Sequence, residues 1–347
     1  MNASKPSATF AHAALRLSRR VLAGLLVVVL GAVNLWALAA LAIDVSPSWP
    51  AWVLTAGYGL GVLLMLWNTR GWLRLALAAA CPALVVAWWS GLRPSNARDW
   101  QPDVAVLPYG EIAGDLVTLR NIRDCDYRTA SDYELRHYDR TFDLTKLRTV
   151  DLFQIHWGSP DIAHPMISFG FENGDHVCVS IETRKEKGEA YSTLKGFFRR
   201  YELAYVFADE RDVVRLRTNY RQGEDVYLYR LRATEAQART LFLDYVRRAG
   251  ELRADPEWYN AATSNCTTAI RAQRAVADRQ PWDWRMLVNG RLDALFYERG
   301  MIQAATPRPP FAAVKTMALI NEESRAADRA TDFSRRIRAG IESLAAR

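Results

Sequence analysis

Three apolar segments, at residues 21–43, 51–68 and 72–90, dominate the N-terminal region of the chain. The first carries no charged residue and is long enough to cross a bilayer as a helix, and the other two are near the lower length limit for doing so. A signal peptide is the competing interpretation, because arginines precede the first segment. The segment is longer than a usual signal core and two more follow it, so we predict three transmembrane helices.

The positions of the arginines predict the direction in which these helices cross. Arg16, Arg19 and Arg20 precede the first segment and are expected to hold the N-terminus in the cytoplasm. Arg70 and Arg74 return the chain to the same side between the second and third segments. Three crossings leave the rest of the chain outside the cytoplasm, since a large domain translocates largely regardless of local charge.

From about residue 95 the pattern changes to that of an α+β domain. Strand patterns occur in "DLVTLRNIRDCDYR", "DVVRLRTNY" and "EDVYLYRLRA", and "HPMISFGFENGDHVCVSIE" predicts a hairpin with a two-residue type I′ turn at Asn173-Gly174. Helical patterns occur in "STLKGFFRRYELAYV" and in "TEAQARTLFLDYVRRAGEL", which begins with a capping box at Thr234 and Gln237. We therefore divide the chain into a transmembrane region (1–93), a folded domain (95–320) and a C-terminal amphipathic helix (321–347).

The formal net charge of +7 changes this picture little. The positive charge is not gathered into one tract, and an exported domain does not meet DNA, so we expect no nucleic-acid partner. The partner expected for a basic surface in this place is the anionic bilayer below it. His156, His164 and His176 lack the spacing of a standard zinc site, and we predict no metal and no cofactor.

One of the four cysteines lies in a polar stretch. Cys81 falls in the third apolar segment, and Cys125 and Cys178 fall in predicted strands, where they are either two separate thiols or, in an oxidising compartment, a disulfide. Cys266, in "ATSNCTTAIRA", follows a small polar loop and precedes a helical pattern. Backbone amides at a helix start stabilise a thiolate and can hold an oxyanion, which makes Cys266 a candidate nucleophile.

A thiol nucleophile needs a base, and the candidate is His164, at the start of a predicted strand. His176 lies beside the hairpin turn. At the usual strand rise it is roughly 20 Å from His164, so it cannot orient the His164 ring. The sequence pattern leaves open which residue is the third group, the one that orients the imidazole of His164. A two-residue turn places Thr183 opposite His164, whereas one β-bulge brings Glu182 to the same side. An ionised Glu182 orients an imidazole better than a hydroxyl does, so Glu182 is the candidate.

Several motifs together resemble the bacterial Lnb N-terminal periplasmic domain family over roughly residues 95–290: "NIRDCDYR", "HPMISFGF", "SIETRKEKGEAYS", "YELAYVFADERDVVRLRTN", "EDVYLYRL" and "PEWYN…NCTTAI". The family takes its name from the lipoprotein N-acyltransferase Lnb, which moves a fatty acyl chain within lipoproteins. The order of a histidine before an Asn-Cys helix start is also similar to permuted papain-like thiol enzymes. The resemblance implies Cys266 as nucleophile, His164 as base and Asn265 as an accessory polar group, in a periplasmic domain held at a bacterial inner membrane.

Three functions are compatible with these features. The first is a membrane-anchored thiol acyltransferase that acts on the acyl chains of membrane lipids or lipoproteins through an acyl-thioester. The second is a papain-like amidase or peptidase of the cell envelope, and the third is a non-enzymatic envelope scaffold. Trp258 and Tyr259 are candidates to line an apolar groove for an acyl chain, although ordinary core packing is the favoured interpretation of both. The membrane helices precede the domain here, and in this respect the chain departs from Lnb.

Overall fold

The computed structural model describes residues 8–45, 49–263, 281–286 and 289–341. Its contacts divide the chain into two units. One consists of Met1–Arg93 with Phe198–Arg200, and the other of Pro94–Phe197 with Tyr201–Arg347. We call them the membrane unit and the periplasmic unit. Asn265 and Cys266, two of the residues singled out above, lie outside the described residues.

The membrane unit contains three helices that are long and apolar enough to cross a membrane. They are α1 (Ala8–Asp44), α2 (Trp49–Asn68) and α3 (Gly71–Gly91). Most of their large apolar side chains are exposed, as expected for helices that lie in lipid. Hydrogen bonds join all three, because Asn34 on α1 donates to the backbone oxygen of Ala78 on α3 and accepts from the hydroxyl of Tyr58 on α2.

The three residues Phe198–Arg200 complete the membrane unit. The Phe198 ring is buried in one cluster with side chains of α1 and α3. The Arg199 guanidinium lies 3.9 Å from the ring centroid of Trp89 and donates to the backbone oxygens of Trp89 and Leu92. Arg199 thus adds hydrogen bonds at the end of α3, where the Trp89 oxygen also accepts from the Leu92 amide.

The periplasmic unit is built on a mixed sheet, which confirms the α+β prediction. Within the described residues its strand order is β1-β2-β9-β8-β7-β6-β10, β5 pairs with β2, and β3 pairs with β4 in a separate ribbon. The β2–β9 pair is parallel and the other pairs are antiparallel. The strands are β1 (Tyr109–Ala113), β2 (Leu116–Arg123), β3 (Asp126–Tyr127), β4 (Tyr133–Glu134), β5 (His137–Asp143), β6 (Leu147–Trp157), β7 (Ser159–Phe171), β8 (His176–Arg184), β9 (Glu202–Ala208) and β10 (Glu224–Arg230).

The helices of this unit cover the two faces of the sheet. In the part of the chain that the structure describes, they are α4 (Pro102–Ala105), α5 (Glu210–Arg215), α6 (Glu235–Ala254), α7 (Leu292–Glu298), α8 (Phe311–Ala318), α9 (Asn321–Ala326) and α10 (Phe333–Arg336). Side chains of α6, α7 and α8 share one core with the sheet, and we call that side the α6 face. Side chains of α5 and of residues 320–341 share another core with the opposite side, which we call the C-terminal face.

The sequence patterns predicted some of these elements correctly. The helix α6 begins with the predicted capping box, in which the Thr234 and Gln237 side chains bond each other's backbone amides. β2, β10 and the β7–β8 hairpin were also predicted. The permuted papain-like arrangement and the domain boundaries remain predictions.

Other predictions were wrong because tertiary contacts override local patterns. "DVVRLRTNY" is not a strand: Asp209 caps α5, and one turn of π-helix follows over Leu216–Tyr220. The helix predicted over "STLKGFFRRYELAYV" is a loop with one 3-10 turn, followed by strand β9. The single helix predicted from residue 321 is interrupted, because α9 and α10 are separate short helices.

Candidate functional site

The turn of the β7–β8 hairpin determines which residue lies opposite His164. Phe171 pairs with Asp175 through its backbone amide, and Gly174 has a φ of +83°. The loop therefore has three residues with glycine in the left-handed position, instead of the predicted two-residue type I′ turn. This shifts the register by one, so that His176 pairs with Gly170 and Ser180 with Met166. Continued along the strands, the same register places Glu182 opposite His164.

His164, Ser180 and Glu182 form a hydrogen-bonded chain on the C-terminal face. The His164 Nε2 atom lies 2.7 Å from Ser180 Oγ, and Ser180 Oγ donates to Glu182 Oε1 at 2.6 Å. His164 Nε2 is also 3.4 Å from Glu182 Oε1. The His164 side chain is 10% exposed and that of Glu182 24% exposed, so the carboxylate is the more accessible end of the chain.

These hydrogen bonds select one tautomer of His164. The Ser180 hydroxyl has a single proton, which it donates to Glu182, so it can only accept from the ring. The Nε2 atom must therefore carry the proton when the imidazole is neutral. The other nitrogen, Nδ1, then holds a lone pair and can accept a proton from a substrate or nucleophile.

His164 and one arginine on the π-helical turn, Arg217, favour the ionised form of Glu182. Burial opposes ionisation, but the charge and hydrogen bond of His164 and the charge of Arg217 outweigh it, and the pKa of Glu182 lies well below its usual value. Arg217 Nη1 lies 3.3 Å from both carboxylate oxygens of Glu224. Glu182 thus remains an acceptor at neutral pH, which holds the Ser180 proton in place.

His164 does not begin its strand as predicted. β7 starts at Ser159, and the β6–β7 register shifts between the pairs His156–Ala163 and Trp157–Ser159. The irregular residues lie just before His164, which pairs with Ile155 of β6. His164 is therefore at the end of the regular part of the pairing.

The two aromatic residues proposed for an acyl groove differ in their surroundings. Tyr259 is 7% exposed in the core of the α6 face, and its backbone amide bonds the backbone oxygen of Tyr201. Trp258 forms an isolated bridge with Glu202, and its buried Nε1 has no hydrogen-bond partner among the described atoms. An acyl groove lined by these two residues remains a prediction.

The described cysteines are all free thiols. Cys125 and Cys178 are buried in different apolar clusters, and neither forms a disulfide. Burial raises the pKa of the Cys125 thiol to about 12 and that of Cys178 well above its usual value. Both therefore stay protonated and unreactive at neutral pH. Within the described residues no group of three or more His, Cys, Asp and Glu side chains is placed to hold a metal ion.

Ser180 is the site residue that sequence reasoning missed. It is completely buried, in the middle of β8, where the pattern predicted only a core position. A signal was present in "VSIE", because residues two apart on a strand point to the same face. Because Glu182 was already a candidate, Ser180 could have been predicted to lie next to it on the same face of the strand.

The comparisons with known proteins agree with the resemblance that the motifs indicate. Residues 134–290 match the family model of the Lnb N-terminal periplasmic domain, and this stretch includes His164, Ser180, Glu182 and Cys266. No curated protein and no solved structure matches the chain. A periplasmic domain family together with three membrane-length apolar helices makes this a membrane protein with a periplasmic domain.

Proposed function

We propose that this protein, whose residues 134–290 match the Lnb N-terminal periplasmic domain family, is a thiol acyltransferase of the bacterial inner membrane. It transfers a fatty acyl chain from a membrane lipid or lipoprotein through a thioester on Cys266. The three apolar helices each cross the membrane, and the following domain has the permuted papain-like arrangement. The observation that carries the proposal is the hydrogen-bonded chain from Glu182 through Ser180 to His164.

The chemistry uses the nitrogen that this chain leaves basic. His164 Nδ1 takes the proton from the Cys266 thiol, and the thiolate attacks the carbonyl carbon of an ester. The tetrahedral intermediate collapses, the C–O bond breaks, and the leaving alkoxide receives the proton from the imidazolium. An acceptor amine or hydroxyl then attacks the thioester, and the thiol is restored. Asn265 is the accessory polar group beside the thiol.

The anchors on either side of the segment 264–280 support this assignment. Before it, the Ala261 amide bonds the backbone oxygen of Gly196, beside β9. After it, a 3-10 turn contains Gly290, where an added Cβ atom would lie 2.3 Å from the backbone oxygen of Pro160 on β7. Asn265 and Cys266 belong to the stretch that joins these two anchors, and His164 is four residues from Pro160.

Ser180 is not the nucleophile in this proposal. Its hydroxyl is completely buried and is committed to Glu182. An acyl ester cannot reach it without opening the sheet. Ser180 is instead a positioning residue, which links the carboxylate to the imidazole.

Intact-mass measurement of the protein purified from membranes tests the proposal. We expect a population heavier by one fatty acyl chain, which hydroxylamine removes because thioesters are more labile to it than amides. Cys266→Ala should show no such mass, whereas the matched control Cys81→Ala should keep it. Cys266→Ser should hold a more stable oxygen ester. An adduct that persists in Cys266→Ala would overturn the assignment of the nucleophile.

The same variants separate acyl transfer from the envelope amidase or peptidase. A hydrolase releases a free carboxylic acid and does not acylate an added lipid or lipoprotein acceptor. Acyl transfer predicts that a labelled acyl chain moves to an acceptor in the membrane. Hydrolysis of peptide or amide without any transfer, lost in Cys266→Ala, would establish the alternative.

The orientation in the membrane is tested by a reporter at the C-terminus. Alkaline phosphatase fused there should be active, because it folds only in the periplasm. A green fluorescent fusion in the same position should be dark when exported in the unfolded state. The opposite pair of results would contradict the three-crossing topology.

A further inference from the structure

We propose that residues 190–197, which we call the lipid loop, dock on phospholipid of the periplasmic leaflet and deliver its acyl chains to the active site proposed above. The docking is a property of the loop itself, and the delivery rests on the function proposed above. The loop is part of the connection between β8 and β9, and it belongs to the periplasmic unit. Its three large apolar side chains, Tyr191, Leu194 and Phe197, are the parts that we expect to enter the bilayer.

The lipid loop exposes apolar surface although its backbone is held firmly. Tyr191 is 46% exposed, Leu194 62% and Phe197 48%. The buried Tyr201 hydroxyl donates to the backbone oxygen of Ala190 at 2.7 Å and accepts from the amide of Ser192 at 3.0 Å. A loop fixed in this way presents its side chains in one direction. Three adjacent exposed apolar groups are typical of a surface that binds another apolar phase.

The sequence position of the loop identifies that phase as lipid. Phe198 follows Phe197 directly, and Phe198–Arg200 belongs to the membrane unit. Arg199 contacts Trp89 and the backbone oxygen of Leu92, at the end of the third apolar helix. Tryptophan and arginine at the end of a membrane helix mark the headgroup level. Phe197 is therefore one residue along the chain from a segment that we expect at the headgroup level.

One basic residue within the loop, Lys195, fits an anionic phospholipid surface. Arg199 and Arg200, which follow the loop, belong to the membrane unit, where Arg199 bonds the end of α3 and Arg200 is buried. Long basic side chains place their stems along apolar surface and their charges among headgroups. Exposed apolar side chains around a lysine, next in sequence to residues of the membrane unit, favour a bilayer interface over a protein partner.

The lipid loop also supports the segment that leads to Cys266. The Ala261 amide donates to the Gly196 backbone oxygen at 2.8 Å, and Asn260 Nδ2 donates to the Phe197 backbone oxygen at 3.4 Å. A Cβ atom added at Gly196 would lie 3.3 Å from the Tyr259 ring, so glycine allows this close approach. Asn260 is six residues before Cys266. A lipid chain that enters at the loop therefore arrives beside the residues that lead into the proposed nucleophile segment.

Photocrosslinking in native membranes tests the docking. The photoreactive amino acid p-benzoylphenylalanine replaces Leu194 or Phe197 in the full-length chain, in a Cys266→Ala background. The control is the same replacement at Ile112, an equally exposed (45%) apolar side chain on β1. After irradiation we expect a hydroxylamine-resistant adduct of phospholipid mass at 194 and 197 and none at 112. Absence of the lipid adduct, equal labelling at 112, or an adduct to a protein would overturn the docking.

A kinetic comparison tests the delivery separately. Leu194→Gln and Phe197→Gln, with Cys266 present, should raise the KM for a phospholipid in vesicles at least tenfold. Their kcat/KM for a water-soluble short-chain ester should stay within twofold of the parent. Equal losses on both substrates would refute delivery by the loop. Since the crosslinking uses Cys266→Ala, its result stands whether or not Cys266 is the nucleophile.

Discussion

The two faces of the periplasmic sheet are covered by helices in different ways. The core of the α6 face is mainly apolar and aromatic, with the Phe242 ring 5.0 Å from Phe169 and 6.2 Å from Phe142 between centroids. A buried carboxylate, Asp293 on α7, also lies there and accepts from Tyr229 and Lys315. The C-terminal face combines an apolar core with buried charges. There Arg338 of the C-terminal segment bonds Asp151 and Glu210, all at most 2% exposed. The His164 chain lies on this second face.

The difference shows how one strand serves packing and chemistry at once. On β8, Val177, Val179 and Ile181 belong to the core of the α6 face. Alternate residues on the same strand, Ser180 and Glu182, point to the C-terminal face and hold His164. Burial of a polar group costs stability unless it is paired, so the buried charges, which are more numerous on the C-terminal face, need hydrogen-bond partners, whereas the apolar side chains need only a close fit.

The largest expected effect is a difference in acylation rate between variants of two histidines on the C-terminal face. His164→Gln should slow acylation of Cys266 by about 10²- to 10⁴-fold, the range for loss of a general base. His176→Gln should leave the rate within about twofold, because His176 lies by the turn and its ring bonds only the Gly174 backbone oxygen among the described contacts. The rate is followed by intact mass after mixing with donor lipid. The reverse result would move the base to His176.

Arg338→Met should produce the next largest effect, on stability. Removal of the cation leaves Asp151 and Glu210 partly uncompensated, and the free energy of unfolding should fall by about 3–5 kcal/mol. Urea unfolding of the full chain in detergent, followed by tryptophan fluorescence, measures it. Adding Glu210→Gln should recover part of the loss, because the unpaired buried charge is removed.

Phe242→Leu is the matched change on the apolar face. It removes buried ring atoms without leaving a charge and should cost about 1–2 kcal/mol. Adding Glu210→Gln should not reduce that cost, since the two residues lie on opposite faces. If Glu210→Gln rescues both variants equally, the contrast between the faces is wrong.

The smallest expected effect is a pH dependence confined to the polar face. Burial opposes ionisation of Glu210, but the charge of Arg338 outweighs it and lowers the pKa of Glu210 from 4.5 to about 2. Because the folded-state pKa is the lower one, this carboxylate stabilises the fold fully above pH 4.5, and the stabilisation is lost as the pH falls toward 2.

The control for this pH dependence is the double variant Arg338→Met with Glu210→Gln. Its unfolding free energy should decline less steeply than that of the parent between pH 4.5 and 2. Phe242→Leu should keep the slope of the parent, because it leaves the Glu210 pair intact. Identical slopes for all three proteins would show that Glu210 contributes nothing to acid sensitivity.

Local patterns in the sequence determined the three apolar helices, the capped start of α6 and the strands of the β7–β8 hairpin. They also identified His164 and Glu182 as candidates. These features depend on periodicity, caps and turn residues that act within a few residues of one another. The resemblance over residues 134–290 depends likewise on motifs that are contiguous in the chain.

Only the tertiary structure decided how those parts meet. The three-residue loop sets a register that brings Glu182 opposite His164. A loop shorter by one residue would place Thr183 opposite His164 instead. Ser180 joins the site because that register turns it toward the same face. Helix α5 forms where the sequence alternates like a strand, because its capped first turn buries Val213 and Val214 against the C-terminal face. Such choices depend on contacts between distant residues, whose free energies exceed the small local preferences that a sequence pattern reveals.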